Sequence, residues 1–233
     1  MSLLIVTGAS AGIGRAIAAR FVRDGYHIIN ISRHPCTEQG VENLRCDLAV
    51  PGAADGLATA LTPWLGGAGT ICLVHNASAM HLNRVDNLAS LDLRADLELN
   101  LVAPNALNRI CIPHMRPGSS ILYIGSTLAE KAVPGVAGYV IAKHGLVGLM
   151  RATCQDLAGR GIHTAMVCPG FTDTRQLRAL IGDNADTLAS ITALSAFDRL
   201  IKPEEIAAAV AFAAQAPVLN GALIHANLGQ RER

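Results

Sequence analysis

A phenol and an amine stand four residues apart in Tyr139-Val140-Ile141-Ala142-Lys143, inside an apolar segment patterned as helix. Residues at that spacing share one helix face, so the Lys143 ammonium can lie beside the Tyr139 hydroxyl. A free tyrosine keeps its proton up to a pH of about 10, but a neighbouring positive charge favours the phenolate and brings proton exchange toward neutrality. By itself such a pair also describes an ordinary helix with a half-buried Tyr and a solvated Lys. Its surroundings give it meaning. Ser126 follows the apolar run Ser120–Ile124, which reads as a buried parallel strand, and open α/β sheets hold ligands at the C-terminal ends of such strands.

The elements that would position these groups alternate strand and helix along the chain, which argues for a parallel sheet wrapped by helices on both sides. Strands are expected at Leu3–Val6, Tyr26–Ile31, a run ending at Cys46, Thr70–Val74, Ser120–Ile124, Ile162–Val167 and Ala222–Ala226. Helices are expected at Arg15–Arg23, Ala53–Leu65, Leu91–Met115, from Tyr139 to about Ala158, and at Pro203–Ala214. Pro104 should bend or break the long helix at Leu91–Met115, because it lacks an N–H and crowds the preceding turn. Residues 171–200 have mixed polarity and read as an irregular excursion covering the site. The fold class is therefore α/β, one domain over residues 1–233, with about seven parallel strands.

Composition narrows the function. Hydrophobic residues make up 51% of the 233 and charged residues only 16%, as a sheet buried on both faces requires. A net charge of +1 and 3% aromatics provide neither the basic footprint nor the stacking platforms of a nucleic-acid binder. No window reaches about 18 uninterrupted apolar residues, so no membrane span is expected. The six cysteines form no C-x-x-C pair and read as reduced core residues of a cytoplasmic protein. No metal-ligand spacing is present. Ile124-Gly125-Ser126-Thr127-Leu128 lacks the elbow pattern of a serine hydrolase.

The opening Leu3-Leu4-Ile5-Val6-Thr7-Gly8-Ala9-Ser10-Ala11-Gly12-Ile13-Gly14 runs a strand into a glycine-rich turn and a helix, where backbone N–H groups can approach a pyrophosphate. With Ser126, Tyr139 and Lys143 at their spacings, almost the whole chain resembles the short-chain dehydrogenase/reductase family of NAD(P)-dependent oxidoreductases, which have a Rossmann fold. The resemblance implies four catalytic residues. Tyr139 would exchange a proton with the substrate oxygen, Lys143 would lower its pKa and hold the nicotinamide ribose, and Ser126 would hydrogen-bond the substrate. Asn100 would hold a water continuing a proton path from Lys143. It also implies cofactor contacts at Gly8, Ser10, Gly12, Ile13, Gly14, Asp47, Leu48, Asn76, Ala77, Pro169, Gly170, Thr172 and Thr174. The family usually shows Asn-Asn-Ala-Gly where this chain has His75-Asn76-Ala77-Ser78, which puts the local loop geometry in question.

At the end of the second strand Ser32-Arg33 stands where an acid would hold the ribose of NAD(H). A hydroxyl and a guanidinium there suit the 2′-phosphate of NADP(H) instead. The expected reaction is hydride transfer between NADP(H) and a small carbonyl compound or alcohol. The alternative is a regulatory or scaffold protein that binds the cofactor without turnover, against which the intact Asn100, Ser126, Tyr139 and Lys143 argue. The loop 127–138 is mainly apolar, and residues 171–200 add Leu177, Leu180, Ile181, Leu188 and Ile191 at roughly helical spacing, favouring an apolar or weakly polar substrate. Arg175 and Arg178 are the side chains that would instead suit an anion. Family members commonly pair through the long helices. Gly145, Leu146, Val147, Gly148, Leu149 and Met150 give the Tyr139 helix no polar face there, so a homodimer or homotetramer is expected.

Overall fold

Successive residues of the first strand enter different cores: Leu3 and Ile5 join one apolar cluster, Leu4 and Val6 the other. A strand buried on both faces needs this unbroken apolar run, because its side chains point alternately up and down. The computed structural model describes residues 1–182 and 184–231. Its sheet has seven parallel strands, β1 (Leu3–Thr7), β2 (His27–Ser32), β3 (Val41–Arg45), β4 (Ile71–His75), β5 (Ser120–Ile124), β6 (His163–Pro169) and β7 (Ala222–Ala226), in the order β3-β2-β1-β4-β5-β6-β7.

One face is covered by α1 (Gly12–Arg23), through Ile17 and Phe21, and the other by α2 (Leu57–Leu65), through Leu61 and Leu65. A helical stretch then runs through α3 (Ser90–Leu97) and α4 (Ala103–Cys111), and with α5 (Ala137–Asp156) completes the second face. The excursion after β6 contains α6 (Arg175–Ile181) and α7 (Ala185–Thr192), and α8 (Pro203–Ala214) returns to pack beside α1. The strand order reverses at β1 and β4. Their following loops therefore part to opposite faces and leave a crevice at the strands' C-terminal ends.

Three boundaries differ from the sequence expectation. Helix α1 begins at Gly12, so the glycine turn itself forms its first turn. Helix α2 starts only at Leu57, after a turn in which Gly52 takes φ 76°, outside the helical region. The long helix continues through Pro104 without a break. It widens into a π-helical turn over Glu98–Val102, where the Ala103 N–H reaches back five residues to the Glu98 carbonyl. Pro104 offers no N–H to the Asn100 carbonyl, and the extra residue in the turn makes room for its ring.

Buried beneath the crevice, His75 Nε2 lies 2.9 Å from Asn108 Oδ1, and Asn108 Nδ2 donates to the Tyr123 hydroxyl at 2.8 Å. Tyr123 in turn lies 3.3 Å from Thr153 Oγ1, which donates to the Leu149 carbonyl, so its own proton points at Thr153. The amide orientation makes Nε2 the protonated ring nitrogen. Four elements are joined by this chain. Burial holds the imidazole neutral, with its pKa pushed down to about 4. As pH falls from 6.5 toward 4 the unfolded chain takes up a proton that folded His75 refuses, so stability is lost in that window, by at most about 3 kcal/mol. His75→Gln should remove this part of the acid sensitivity. Urea midpoints of both proteins at pH 7 and pH 4.5 measure it, and an unchanged difference between the two proteins would count against the assignment.

Candidate active site

The turn after β1 is built for close backbone approach. Gly8 and Gly12 take φ 71° and 55°, and a Cβ on Gly14 would stand 2.4 Å from both the Gly8 carbonyl oxygen and Asn76 Nδ2. Ala11 precedes α1 without a side-chain cap, and no acid occupies the first turn, so its N–H groups face the crevice. Asn30, which the sequence reading missed, fixes the turn from below. Its Oδ1 accepts the Ala9 N–H at 2.9 Å, and its Nδ2 donates to Asn43 Oδ1 at 2.8 Å. An amide set between Ile29 and Ile31 in β2 was the available signal.

The expected cofactor residues are distributed around this cradle. Ser10, Gly12 and Ile13 are half-buried at its lip, and Asp47 turns the chain after β3 by accepting the Ala49 N–H at 3.1 Å, with Leu48 buried beside it. Asn76 and Ala77 both donate their N–H groups to Thr7 Oγ1 at 2.9 Å, so the His75 and Ser78 departures leave the loop firmly seated. After Pro169, the Gly170 N–H donates to the Ala226 carbonyl at 3.2 Å, and Thr172 Oγ1 donates to the Gly170 carbonyl at 3.1 Å. Thr174 caps α6, and its methyl lies 3.2 Å from where a Gly12 Cβ would be, closing the loop over the glycine turn. Ser32 stands at the end of β2, next to Arg33. Its hydroxyl accepts from Asn30 Nδ2 and donates to the His34 carbonyl, so it is engaged inside the fold. Arg33 remains exposed and forms no ion pair among the described residues. Arg15 is held by Glu38 at 2.7 Å. A cradle that Cβ atoms would fill, open helix N–H groups and an outlying guanidinium together fit a phosphorylated dinucleotide.

The four expected catalytic residues converge at the crevice. Ser126 ends the strand region, and its oxygen accepts the Leu128 N–H at 3.1 Å. Lys143 is buried, lies 5.4 Å from the Tyr139 ring centroid and donates to the Ile124 carbonyl at 2.9 Å. Asn100 occupies the π turn. Its Nδ2 donates to the Asp96 carbonyl at 2.9 Å and its Oδ1 accepts from Ser78 Oγ at 2.7 Å.

Burial pushes the half-exposed Tyr139 phenol above its ordinary value, and hydrogen bonding to Ser126 and Ser78 pulls it back. The Lys143 ammonium lies over the Tyr139 ring and donates to the Ile124 carbonyl. The start of α5 is set by Asn83, another residue missed in the sequence. Its carbonyl accepts the Ala137 N–H at 3.2 Å, and its Oδ1 accepts the Gly138 N–H at 2.9 Å.

Burial also pushes Lys143 down to about 8. Between pH 8 and 10.5 the unfolded chain holds more protons at this position than the folded one, so Lys143 makes the cofactor-free protein gain stability as pH rises. Lys143→Met should abolish that gain, on the order of 1–2 kcal/mol between pH 7.5 and 9.5. Denaturant midpoints compared at those two pH values check it.

A family model described as Enoyl-(Acyl carrier protein) reductase matches residues 8–230. The 3-oxoacyl-[acyl-carrier-protein] reductase FabG of Salmonella typhimurium is 31% identical over 97% of this chain and 96% of its own. The short-chain dehydrogenase/reductase olcF of Penicillium canescens is 31% identical over 95% of this chain and 93% of its own. Among solved structures, a blue fluorescent protein from a metagenomic library in complex with NADPH superposes with a TM-score of 0.87 at 26% identity, covering 98% of this chain and 97% of that one. With the parallel sheet, the glycine cradle and the Ser126, Tyr139 and Lys143 cluster already in place, the chain belongs to the short-chain dehydrogenase/reductase family of NAD(P)-dependent oxidoreductases.

Proposed function

We propose that the protein uses NADP(H) to interconvert an apolar or weakly polar carbonyl compound and its alcohol, with Tyr139 as the acid and base. The observation that carries this reading is the convergence of Tyr139, Ser126 and Lys143 at the crevice beside the glycine cradle. Asn100, Ser126, Tyr139 and Lys143 are the catalytic set. When bound, the nicotinamide supplies or accepts the hydride. Ser126 donates its free proton to the substrate oxygen, orienting it and stabilising charge that develops there. Tyr139 transfers its proton to that oxygen in reduction and takes it back in oxidation. Lys143 keeps a positive charge beside the ring and orients the cofactor's ribose. The Asn100 carbonyl, left without a helical donor by Pro104, holds a water linking Lys143 to solvent. A purely regulatory role would need none of these acid and base groups.

Arg33, exposed beyond β2, supports NADP(H) over NAD(H), because a guanidinium there suits a 2′-phosphate. Ser32, beside it at the end of β2, is the second group placed toward the 2′-phosphate. The substrate reading draws on the loops around the crevice. Arg178 is held by Asp173 through bonds of 2.8 and 2.9 Å, and Glu130 pairs with His225 at 2.8 Å. Neither pair leaves a concentrated field for an anion. The 3-oxoacyl substrate class named for the Salmonella relative, with its aliphatic chain, matches this chemistry.

We propose further that the protein works as a homo-oligomer in the reducing cytoplasm. Val102 and Ile141 are exposed, and a Cβ on Gly148 would meet nothing within 4 Å, so an apolar face with room for a partner helix is present. All six cysteines are free thiols, and among the described residues no helix is long and apolar enough to cross a membrane.

NADPH oxidation measured over a panel of ketones, aldehydes and keto acids tests the activity. Tyr139→Phe should lower kcat by about a thousandfold or more while leaving NADPH binding within about threefold. Arg33→Asp should raise the NADPH KM by about tenfold or more, with little change for NADH. Near-normal turnover in Tyr139→Phe, or equal wild-type efficiency with NADH, would overturn the corresponding assignment. Light scattering should return a multiple of 24.3 kDa at micromolar concentration, and a monomer would exclude the oligomer.

A further inference from the structure

Past Ser126 lies a basin that the catalytic set does not use. Its volume is about 380 Å³, within the range of small-molecule sites, and it is lined by Thr127, Glu130, Lys131, His225 and Asn227. The fold places these residues beside the reacting groups. Thr127 follows Ser126 and opens the 3₁₀ turn Thr127–Ala129, which ends against Glu130. Cys168 on β6 lies against the residue before Ser126: a Cβ on Gly125 would stand 2.9 Å from its Sγ. Cys168 pairs with His225 in the register of β6 and β7, and Asn227 follows two residues later. The basin therefore spans the C-terminal ends of β5, β6 and β7, starting at the residue after Ser126.

Every lining side chain is polar, and stability does not account for that. His225 and Glu130 are 45% and 46% exposed, and ion pairs so open to water contribute little. What the residues share is hydrogen-bonding capacity. Glu130 Oε2 lies 2.8 Å from His225 Nε2, which leaves Oε1 as an acceptor. Asn227 Oδ1 accepts the Gly229 N–H at 3.1 Å, which leaves Nδ2 as a donor. The Thr127 hydroxyl can act either way. Such a set matches an alcohol group, which donates one hydrogen bond and accepts others. It suits a charge less well. Glu130 opposes Lys131 and His225 on the same wall, so neither an anion nor a cation finds partners of one sign.

We propose that this basin is a specificity subsite for an uncharged hydroxyl on one arm of the substrate, with Glu130 and Asn227 as the groups that read it. The inference rests on the carbonyl and alcohol chemistry proposed above and narrows it. The substrate is a ketone with two unlike arms, one aliphatic and placed under the excursion after β6, the other ending in a hydroxyl in the basin. Arms held in different places leave one face of the carbonyl toward the cofactor, so the product alcohol has a single configuration.

The test compares aliphatic ketones whose second arm, over a series of lengths, ends in a hydroxyl, a methyl group or a carboxylate. With NADPH, kcat/KM at the best arm length should favour the hydroxyl over the methyl compound by about tenfold, the worth of one net hydrogen bond, and over the carboxylate by at least as much. The methyl ketone reports any general damage to a variant, so the hydroxyl-to-methyl ratio isolates recognition. Glu130→Ala should bring that ratio to about one and lower the enantiomeric purity of the alcohol, while Glu130→Gln, which keeps an acceptor oxygen, should hold the ratio within about threefold of wild type. Asn227→Asp keeps the acceptor for Gly229 and removes the donor, and should lower the ratio as well. Methyl ketones used as well as their hydroxyl counterparts at every arm length would overturn the proposal, as would a preference for the carboxylate or a ratio unchanged in Glu130→Ala. Should no ketone be reduced, the carbonyl and alcohol reading fails, and calorimetry on the NADP⁺ complex decides the basin by itself. Hydroxyketone binding about tenfold tighter than that of the methyl ketone, and lost in Glu130→Ala, would uphold the subsite, whereas equal binding would overturn it.

Discussion

Everything at the crevice depends on how Thr7 ties the loop after β4 to the end of β1. Its buried hydroxyl oxygen accepts the N–H groups of both Asn76 and Ala77, and Asn76 Nδ2 returns bonds to the carbonyls of Thr7 at 2.9 Å and Gly8 at 3.2 Å. A strand order that reverses at this point drives the two loops apart, so without such a tie the crevice would have no fixed width. A valine of similar shape at position 7 would leave two N–H groups without an acceptor, at roughly 1–3 kcal/mol each where they are buried. The same tie sets the glycine cradle on one side and Ser78 on the other. Cofactor cradle and proton machinery are thus positioned by one small polar cluster.

Electrostatics at Tyr139 result from two opposed effects. A closed crevice strengthens every dipole directed at the reacting oxygen, yet it also penalises a phenolate and an ammonium, and both Tyr139 and Lys143 are shifted toward their neutral forms. Hydroxyls answer this better than a charge does, because they stabilise the phenolate without themselves carrying a buried charge. Cys168 lies nearby, but burial pushes its thiol up to about 11 and keeps it neutral, so it adds no competing anion. The site therefore holds few net charges and many oriented dipoles, which need little reorganisation when a proton moves.

The fold was legible because its signals are local. Apolar runs of four residues, Leu3–Val6 and Ile121–Ile124, mark β1 and β5, and the break at Gly159 to Gly161 marks the return from α5. Tyr139, Lys143 and Ser126 could be read from spacing, since helix and strand periodicity already place them together. Long-range hydrogen bonding is what a linear pattern does not contain. Nothing around Asn30 shows that its amide supports the Ala9 N–H 21 residues away, and nothing around Asn83 shows that it meets Gly138, 55 residues later. The same holds for Ser32, whose partner is decided by a turn that brings the His34 carbonyl back toward it. The π turn was half visible. Pro104 announced a disturbance, but only the packed helix shows that it takes the form of a π turn.

Asn83 and Asp96 show how the irregular loop after β4 controls a helix it does not belong to. Val136 precedes α5 without a capping side chain, so the first N–H groups of that helix need acceptors from elsewhere. Asn83 supplies a carbonyl and an amide oxygen to Ala137 and Gly138, and the buried Asp96 carboxylate, paired with His81 at 2.8 Å, lies against Gly138. A Cβ on residue 138 would stand 2.2 Å from Asp96 Oδ2, so only glycine lets the carboxylate approach the positive end of α5. Because Tyr139 is the next residue, any shift of this cap moves the phenol directly. Asp96 also presents its backbone carbonyl to Asn100, whose oxygen holds Ser78. The path from the cap therefore closes on itself through α3, the π turn and the loop, which holds the start of α5, and with it Tyr139, from two sides.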